Sequence, residues 1–358
     1  MLNKILSLSK RLISIKSTPD NRQALERCLK IAISKVKGYT IEPFESNRFK
    51  SILVYSAKKR PKKFKVILNG HLDIIPGKEY QYNPKVIRNR LYGVGSMDMK
   101  ANISCLIYVF NEAAKKVNYP LGLQLVTDEE TGGFNGTKFQ IEKGVKADFV
   151  IAGESTNLNI VNKAKGILWL KIFTQGKTAH SAYPWKGKNA IWKMQKFLTL
   201  LEEEYPVPDQ EDWITTINLS RINTNNHTFN KIPDDCEIWL DIRYIPKNSD
   251  IIVRNIKKLL PKGFKMKIIE KEPALSVNEN NQFIQILRKT TQRITKKQAI
   301  LYGAQGSSDV RHYAKINCPG IEFGPVGGGI GSDKEWIEIP SLINYVKILQ
   351  DFLLTVKD

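Results

Sequence analysis

The chain is poor in cysteine: Cys28, Cys105, Cys236 and Cys318 are scattered, with no CxxC pair among them. That argues against a disulfide framework or a thiolate-bound zinc, and for reduced structural thiols in a cytoplasmic protein. No stretch approaches the roughly 18 uncharged apolar residues of a membrane-spanning helix, so no membrane partner is expected. The opening run MLNKILSLSKRLISIKS lacks the unbroken apolar core and small-residue cleavage site of a signal peptide. Its apolar residues recur at helical spacing between Lys and Arg, which predicts a surface helix of the first domain. Repeats and low-complexity tracts are also missing.

With 358 residues the chain is long enough for two packed domains. A 42% apolar and 9% aromatic content suits a folded globular protein. The formal charge of +21, from 56 basic against 35 acidic residues, permits binding to nucleic acid or acidic ligands. The basic residues are nevertheless spread along the chain. The one dense run, Lys58, Lys59, Arg60, Lys62, Lys63 and Lys65, brackets Pro61 and has no interleaved aromatics, so it reads as a solvated turn between two strands. No nucleic-acid partner is expected.

Helical and apolar β segments alternate over the first part. A helical region to about Lys37 precedes strand candidates SILVYSA (51–57) and FKVILNG (64–70). A helix then begins near Met99, followed by strands LGLQLVT (121–127) and FVIAG (149–153). This pattern predicts an α/β domain with a mixed, largely parallel sheet, whose functional groups gather where strands end. From about residue 165 the order becomes β-α-β-β-α-β: ILWLKIFTQG, a helix over 189–204, WITTINLS, EIWLDIRYI, a helix over 251–260 and FKMKIIE. That is a ferredoxin-like α+β unit in its own right. The α/β texture resumes after about Glu272, with a helix near 281–294, a short strand at IEFG and a terminal helix from Ser341. The expected domains are therefore 1–164 with 273–358, interrupted by an inserted domain over 165–272.

Four chemical features stand mostly at predicted strand ends. His71 is followed by Asp73, placed to orient an imidazole that binds a metal. Asp98 lies in YGVGSMDMK, after two glycines at a helix start, where it could also be an ordinary cap. Glu129 and Glu130 are adjacent in TDEETGG, and burying both requires a cation or an elevated pKa on one. Glu154 follows the strand FVIAG. Imidazole plus carboxylates is a ligand set for zinc, with cobalt or manganese as alternatives. A bridging carboxylate with ligands on either side would suit two ions roughly 3.5–4 Å apart.

These segments, in order and spacing over nearly the whole chain, resemble the zinc-dependent exopeptidase and deacylase family of acetylornithine deacetylase, succinyl-diaminopimelate desuccinylase, aminoacylase and glutamate carboxypeptidase. The resemblance implies that His71 and Glu154 bind one metal, Asp98 bridges and Glu130 binds the second. Glu129 would be the general base and Asp73 would orient His71. KTAHSAYPWKGKNAI (177–191) resembles the family's lid and dimerisation motif, which implies a homodimer in which His180 reaches the partner's site to hold the oxyanion. NKIPDDCEIWLDIR and GSSDVRH resemble substrate-positioning segments and nominate Asn230, Arg243 and Arg311. The implied reaction is amide hydrolysis in an N-acyl amino acid or short peptide.

One position departs from that family. It carries a histidine four residues before a glutamate near the C-terminus, whereas GGGIGSDKEWIEI has Glu335 but Gly331. No histidine follows His312. Three readings stay open: Asp333 or His312 completes the second site, one metal suffices at His71, Asp98 and Glu154, or the chain is a weakened dimeric small-molecule-binding protein. Val94 also stands where the family commonly has Arg. His227, in INTNNHTFN, reads as a solvated loop residue.

Overall fold

The computed structural model describes residues 1–357. Two compact units emerge: Met1–Lys163 with Ser276–Tyr302 and the segment from Ser308 onward, and Ala164–Leu275 with Gly303–Ser307. The return of Gly303–Ser307 to the second unit departs from a single crossing near residue 273. Local packing explains it. A Cβ on Gly303 would stand 2.5 Å from the Trp213 ring, and Gln305 donates to the Asp212 carbonyl at 3.1 Å.

In the first unit the main sheet runs Thr40–Ser46, Phe49–Tyr55, Leu121–Val126, Phe64–His71, Ala147–Ala152, Gly320–Glu322 and Ile160–Ala164. Leu121–Val126, Phe64–His71, Ala147–Ala152 and Gly320–Glu322 are parallel neighbours, flanked by antiparallel strands, so the sheet is mixed with a parallel centre. Nearly every residue of the central strands is buried, because helices cover both faces. Gly70 faces the helix Ala101–Ala113, where a Cβ would meet Met99 at 2.9 Å and Ile103 at 3.1 Å. Ile67, on the other face by strand alternation, clusters with Tyr313 and Cys318. The basic run 58–63 is the turn between the strands Phe49–Tyr55 and Phe64–His71.

A small antiparallel sheet of Lys85–Ile87, Arg90–Tyr92, Trp336–Glu338 and Gly327–Gly328 accompanies the main one. Strands of two or three residues carry too little periodicity to be read from sequence. Their pairing matters all the same, since Trp336 opposite Tyr92 brings the C-terminal segment beside the turn that carries Asp98.

The second unit has the expected order: Gly166–Gln175, helix Ala190–Glu204, Thr216–Asn223, Asp235–Tyr244, helix Ile252–Leu259 and Phe264–Glu272. Its four strands lie second, third, first, fourth across an antiparallel sheet, the ferredoxin-like arrangement. Alternate residues Leu168, Leu170, Ile172, Ile238, Leu240 and Ile242 pack against Met194, Phe197, Ile252 and Ile256 of the two helices. Ile172 is fully buried there. Ile172→Ala is expected to cost about 2–5 kcal/mol by transfer loss and cavity formation. Val207→Ala, at a residue 78% exposed, should stay within about 0.5 kcal/mol of the parent. Thermal or denaturant unfolding of the two variants provides the check.

Candidate metal centre

Parallel strands that end together bring their following residues together, and the first unit exploits this. His71 closes one strand, Thr127–Glu130 follow its neighbour Leu121–Val126, Gly153–Glu154 follow Ala147–Ala152, and Glu322 ends Gly320–Glu322. Asp98 comes from an irregular turn over Ser96–Lys100 that leads into Ala101–Ala113, and its peptide bond to Met99 is cis.

His71, Asp98 and Glu154 converge. One ligand atom from each lies within 4.8 Å of the others. The His71 Nε2 atom is 2.9 Å from Asp98 Oδ1 and 3.7 Å from Glu154 Oε1. His71 is almost wholly buried, while the Asp98 and Glu154 side chains keep 21% and 18% exposure, so the cluster opens to solvent on its carboxylate side. At 3.0 Å the Asp73 carbonyl faces His71 Nδ1, with the Asp73 carboxylate at 3.6 Å. Nδ1–H therefore donates toward Asp73, which leaves the Nε2 lone pair for a cation. The Asp73 Oδ2 atom accepts from the Glu130 N–H at 2.8 Å, so one residue orients His71 through its backbone carbonyl and braces the Glu129–Glu130 turn through its carboxylate.

The electrostatics call for positive charge. Burial alone would lower the His71 pKa, but Glu154, Asp73 and Asp98 outweigh it and raise it well above the ordinary value. Burial pushes Glu129 well up, opposed by His71 and reinforced by Asp309 and Glu154. Glu154 is raised by burial and by the charges of Asp98, Glu322 and Glu130. Glu130 is pushed to about 7 by burial, then by Asp98 and Asp73. Carboxylates this close cannot all ionise without a counter-charge, and imidazole plus carboxylates is hard-to-borderline donor chemistry. The donor set fits a divalent cation. His71, Asp98 and Glu154 would hold it, with Glu130 beyond them.

Two further carboxylates belong to this neighbourhood. Glu322, buried and raised to about 7 by burial and by Asp98, escaped sequence reasoning, although it carries the same signal as Glu154: an acidic residue at a strand end. Glu335 is buried and accepts backbone N–H bonds from Gly95 (3.0 Å), Met97 (2.8 Å) and Asp98 (3.2 Å). It is the anchor of the Asp98 turn. Asn102 ties that turn to the Glu154 segment, donating to the Met97 carbonyl at 3.2 Å, the Gly153 carbonyl at 2.6 Å and Ser155 Oγ at 3.0 Å. Val94 packs with Ile74 and Tyr82 in an apolar cluster beneath the same turn.

The remaining sequence candidates have hydrogen-bond or ion-pair partners of their own or are exposed. Arg311 is buried, with Nη1 donating to the Ser308 carbonyl at 2.8 Å and Nη2 to the Gly132 carbonyl. His312 Nε2 meets the same Gly132 oxygen at 2.9 Å, and burial with the Arg311 charge lowers its pKa to about 2, so it is a neutral donor. Both residues brace the turn after Glu129 and Glu130. Asp333 pairs with Lys78. In the second unit, His180 is exposed, with Nδ1 accepting from the Ala182 N–H at 3.1 Å. Asn230 is exposed and its carbonyl accepts from the Ser181 N–H at 2.9 Å. Arg243 forms a two-pronged pair with Asp241 at 2.9 and 3.1 Å. His227 is exposed.

Residues 67–355 match peptidase family M20/M25/M40. A succinyl-diaminopimelate desuccinylase of Pelagibacter ubique is 28% identical over 311 residues, 79% of this chain and 80% of that protein. One from Buchnera aphidicola is also 28% identical, over 99% of both chains. Among solved structures, the aminopeptidase PepT of Bacillus cereus superposes with a TM-score of 0.81 at 16% identity, covering 99% of this chain and 98% of that one. YXEP of Bacillus subtilis, a dinuclear metal binding peptidase, gives 0.68 at 13% identity, covering 99% and 97%. The two structural likenesses establish the fold.

Cation binding must displace protons here. The folded-state pKa of Glu130 lies near 7, and those of Glu154 and His71 are also raised, so protonated forms persist at a pH where free carboxylates are ionised. Zinc affinity is therefore expected to fall as pH drops from 8 through 7 to 6, with proton release on binding. Titrations in buffers of different ionisation enthalpy read both quantities. A pH-independent affinity with no proton release would contradict the placement of the cation.

Proposed function

Because the chain belongs to peptidase family M20/M25/M40, we propose that it hydrolyses the amide bond of an N-acyl amino acid or short peptide, with Glu129 as general base. The observation that carries this reading is the convergence of His71, Asp98 and Glu154, with Glu129 close enough for its charge to interact with those of His71 and Glu154. The expected cation is zinc, with cobalt or manganese as substitutes. When bound, it supplies Lewis acidity to the substrate carbonyl and acidifies water.

The protein's own residues do the rest. Glu129 takes a proton from the attacking water and later returns one to the leaving amine, which requires a carboxylate beside the cation and not committed to it. Its burial keeps its basicity high, because a desolvated carboxylate binds a proton more tightly. Asp73 keeps His71 in the tautomer that presents Nε2. Arg311 acts on the reaction through the Gly132 carbonyl, holding the Glu129–Gly132 turn in place. Asn230 and Arg243 are assigned to substrate positioning, and His180, supplied by a second copy of the chain, to the oxyanion, which makes a homodimer the expected assembly. Four buried free thiols suit a reducing, cytoplasmic setting.

The desuccinylase relatives put N-succinyl amino acids first among substrates to try, ahead of N-acetyl amino acids and dipeptides. A second reading, a dimeric small-molecule-binding protein with little turnover, is favoured by Gly331 alone. Turnover of such a panel with added zinc, cobalt or manganese separates the two. Glu129→Gln is expected to lower kcat about 10²–10⁴-fold, with the metal content unchanged. Undiminished turnover in that variant would remove Glu129 from the mechanism, and no turnover of any substrate by the metal-loaded parent would favour the binding protein.

A further inference from the structure

We propose that this chain holds one catalytic cation tightly, at His71, Asp98 and Glu154, and lacks a second site of comparable affinity. The proposal rests on the hydrolase reading and narrows it. Among the described residues, only this trio brings three ligand atoms within 4.8 Å of one another. A second ion next to it would draw on Asp98 and Glu130, which is two protein ligands where catalytic zinc sites use three. The Glu130 Oε1 atom also accepts from the Ile75 N–H at 3.2 Å, so cation binding there competes with a backbone bond.

Three nearby groups that could supply a further ligand, Glu335, Asp333 and His312, are engaged elsewhere. The Glu335 carboxylate takes three backbone N–H bonds from the Asp98 turn. Asp333 is paired with Lys78, and its loop is tied down further by Gln81 donating to the Ser332 carbonyl at 3.0 Å. The Nε2 atom of His312 faces the Gly132 carbonyl.

Position 331 is where a ligand has room and none is provided. A cavity of about 240 Å³ is lined by Ile75, Val94, Gly331, Asp333 and Glu335 among others. The nearest atom to a Cβ built on Gly331 is Ile75 Cδ1, at 3.5 Å, ordinary van der Waals contact. Ile75 is the residue whose N–H meets Glu130, so a side chain at 331 would stand beside the Glu130 segment. The cavity thus collects both departures noted in the sequence, Val94 and Gly331. YXEP of Bacillus subtilis, by contrast, is a dinuclear metal binding peptidase.

The test is metal stoichiometry of the full-length protein, measured by elemental analysis after equilibrium dialysis against graded zinc, with affinities from chelator competition. The parent is expected to retain one zinc per chain. Any second ion should bind at least about 100-fold more weakly, since losing even an outer partner of a ligand costs about 10–100-fold. Gly331→His is expected to raise the retained zinc to two per chain. Gly331→Asn, which tolerates the positive φ of 68° but has no imidazole, should stay at one. Two parent ions with affinities within tenfold of each other would overturn the proposal and leave the hydrolase reading standing. No retained zinc in the parent would overturn both. A parent with one ion and a Gly331→His variant that gains none would overturn the assignment of the missing ligand to position 331.

Discussion

Carboxylates crowd around a single imidazole at the ends of the parallel strands, and a positive charge is what makes that crowding tolerable. His71 is buried, which by itself would discharge it, yet Glu154, Asp73 and Asp98 hold its proton affinity well above the ordinary value. In turn Glu129, Glu130 and Glu154 are all raised, because each sits out of water among like charges. Such a site is unfavourable on its own terms, and the stability it forfeits is recovered when a divalent ion replaces the protons.

Much of the surrounding structure is explained as support for that arrangement. Asp73 serves His71 and the Glu130 N–H at once. Glu335 and Asn102 fasten the irregular turn that presents Asp98, one from a small sheet near the C-terminus and the other from the helix that follows. Arg311 and His312 converge on the Gly132 carbonyl and hold the opposite wall. The supporting groups are more deeply buried than Asp98 and Glu154, so their own polar atoms must be satisfied before the site can exist. Side chains of one chemical type are consequently divided between the cluster and its supports. Glu154 converges with His71 and Asp98, while Glu335 spends the same functional group on backbone amides.

Legibility followed the length scale of each signal. The central strands are mostly apolar runs and the two inner strands of the second unit alternate in burial, so fold class and element order could be read directly. His71, Asp98, Glu129, Glu130 and Glu154 were nominated because each lies at a strand end or in a glycine turn, where an α/β sheet places its chemistry. Glu322 sits at the same kind of position and was overlooked, since IEFG is short and Glu322 lies within the strand and not past it. The anchoring role of Glu335 was invisible for a different reason. It depends on Trp336 pairing with Tyr92 across more than two hundred residues of chain, through strands too short to show a period.

The amino-acid sequence by itself determined the order of the main strands and helices and which imidazole and carboxylates are available for chemistry. Those properties are local, set by periodicity, propensity and residue type. Which carboxylates gather around His71, which accept backbone amides, and which aspartate or histidine is already taken by a lysine or a carbonyl was decided only in three dimensions. Identical side chains acquire different roles from their distances and their access to water, and neither is written in the order of residues.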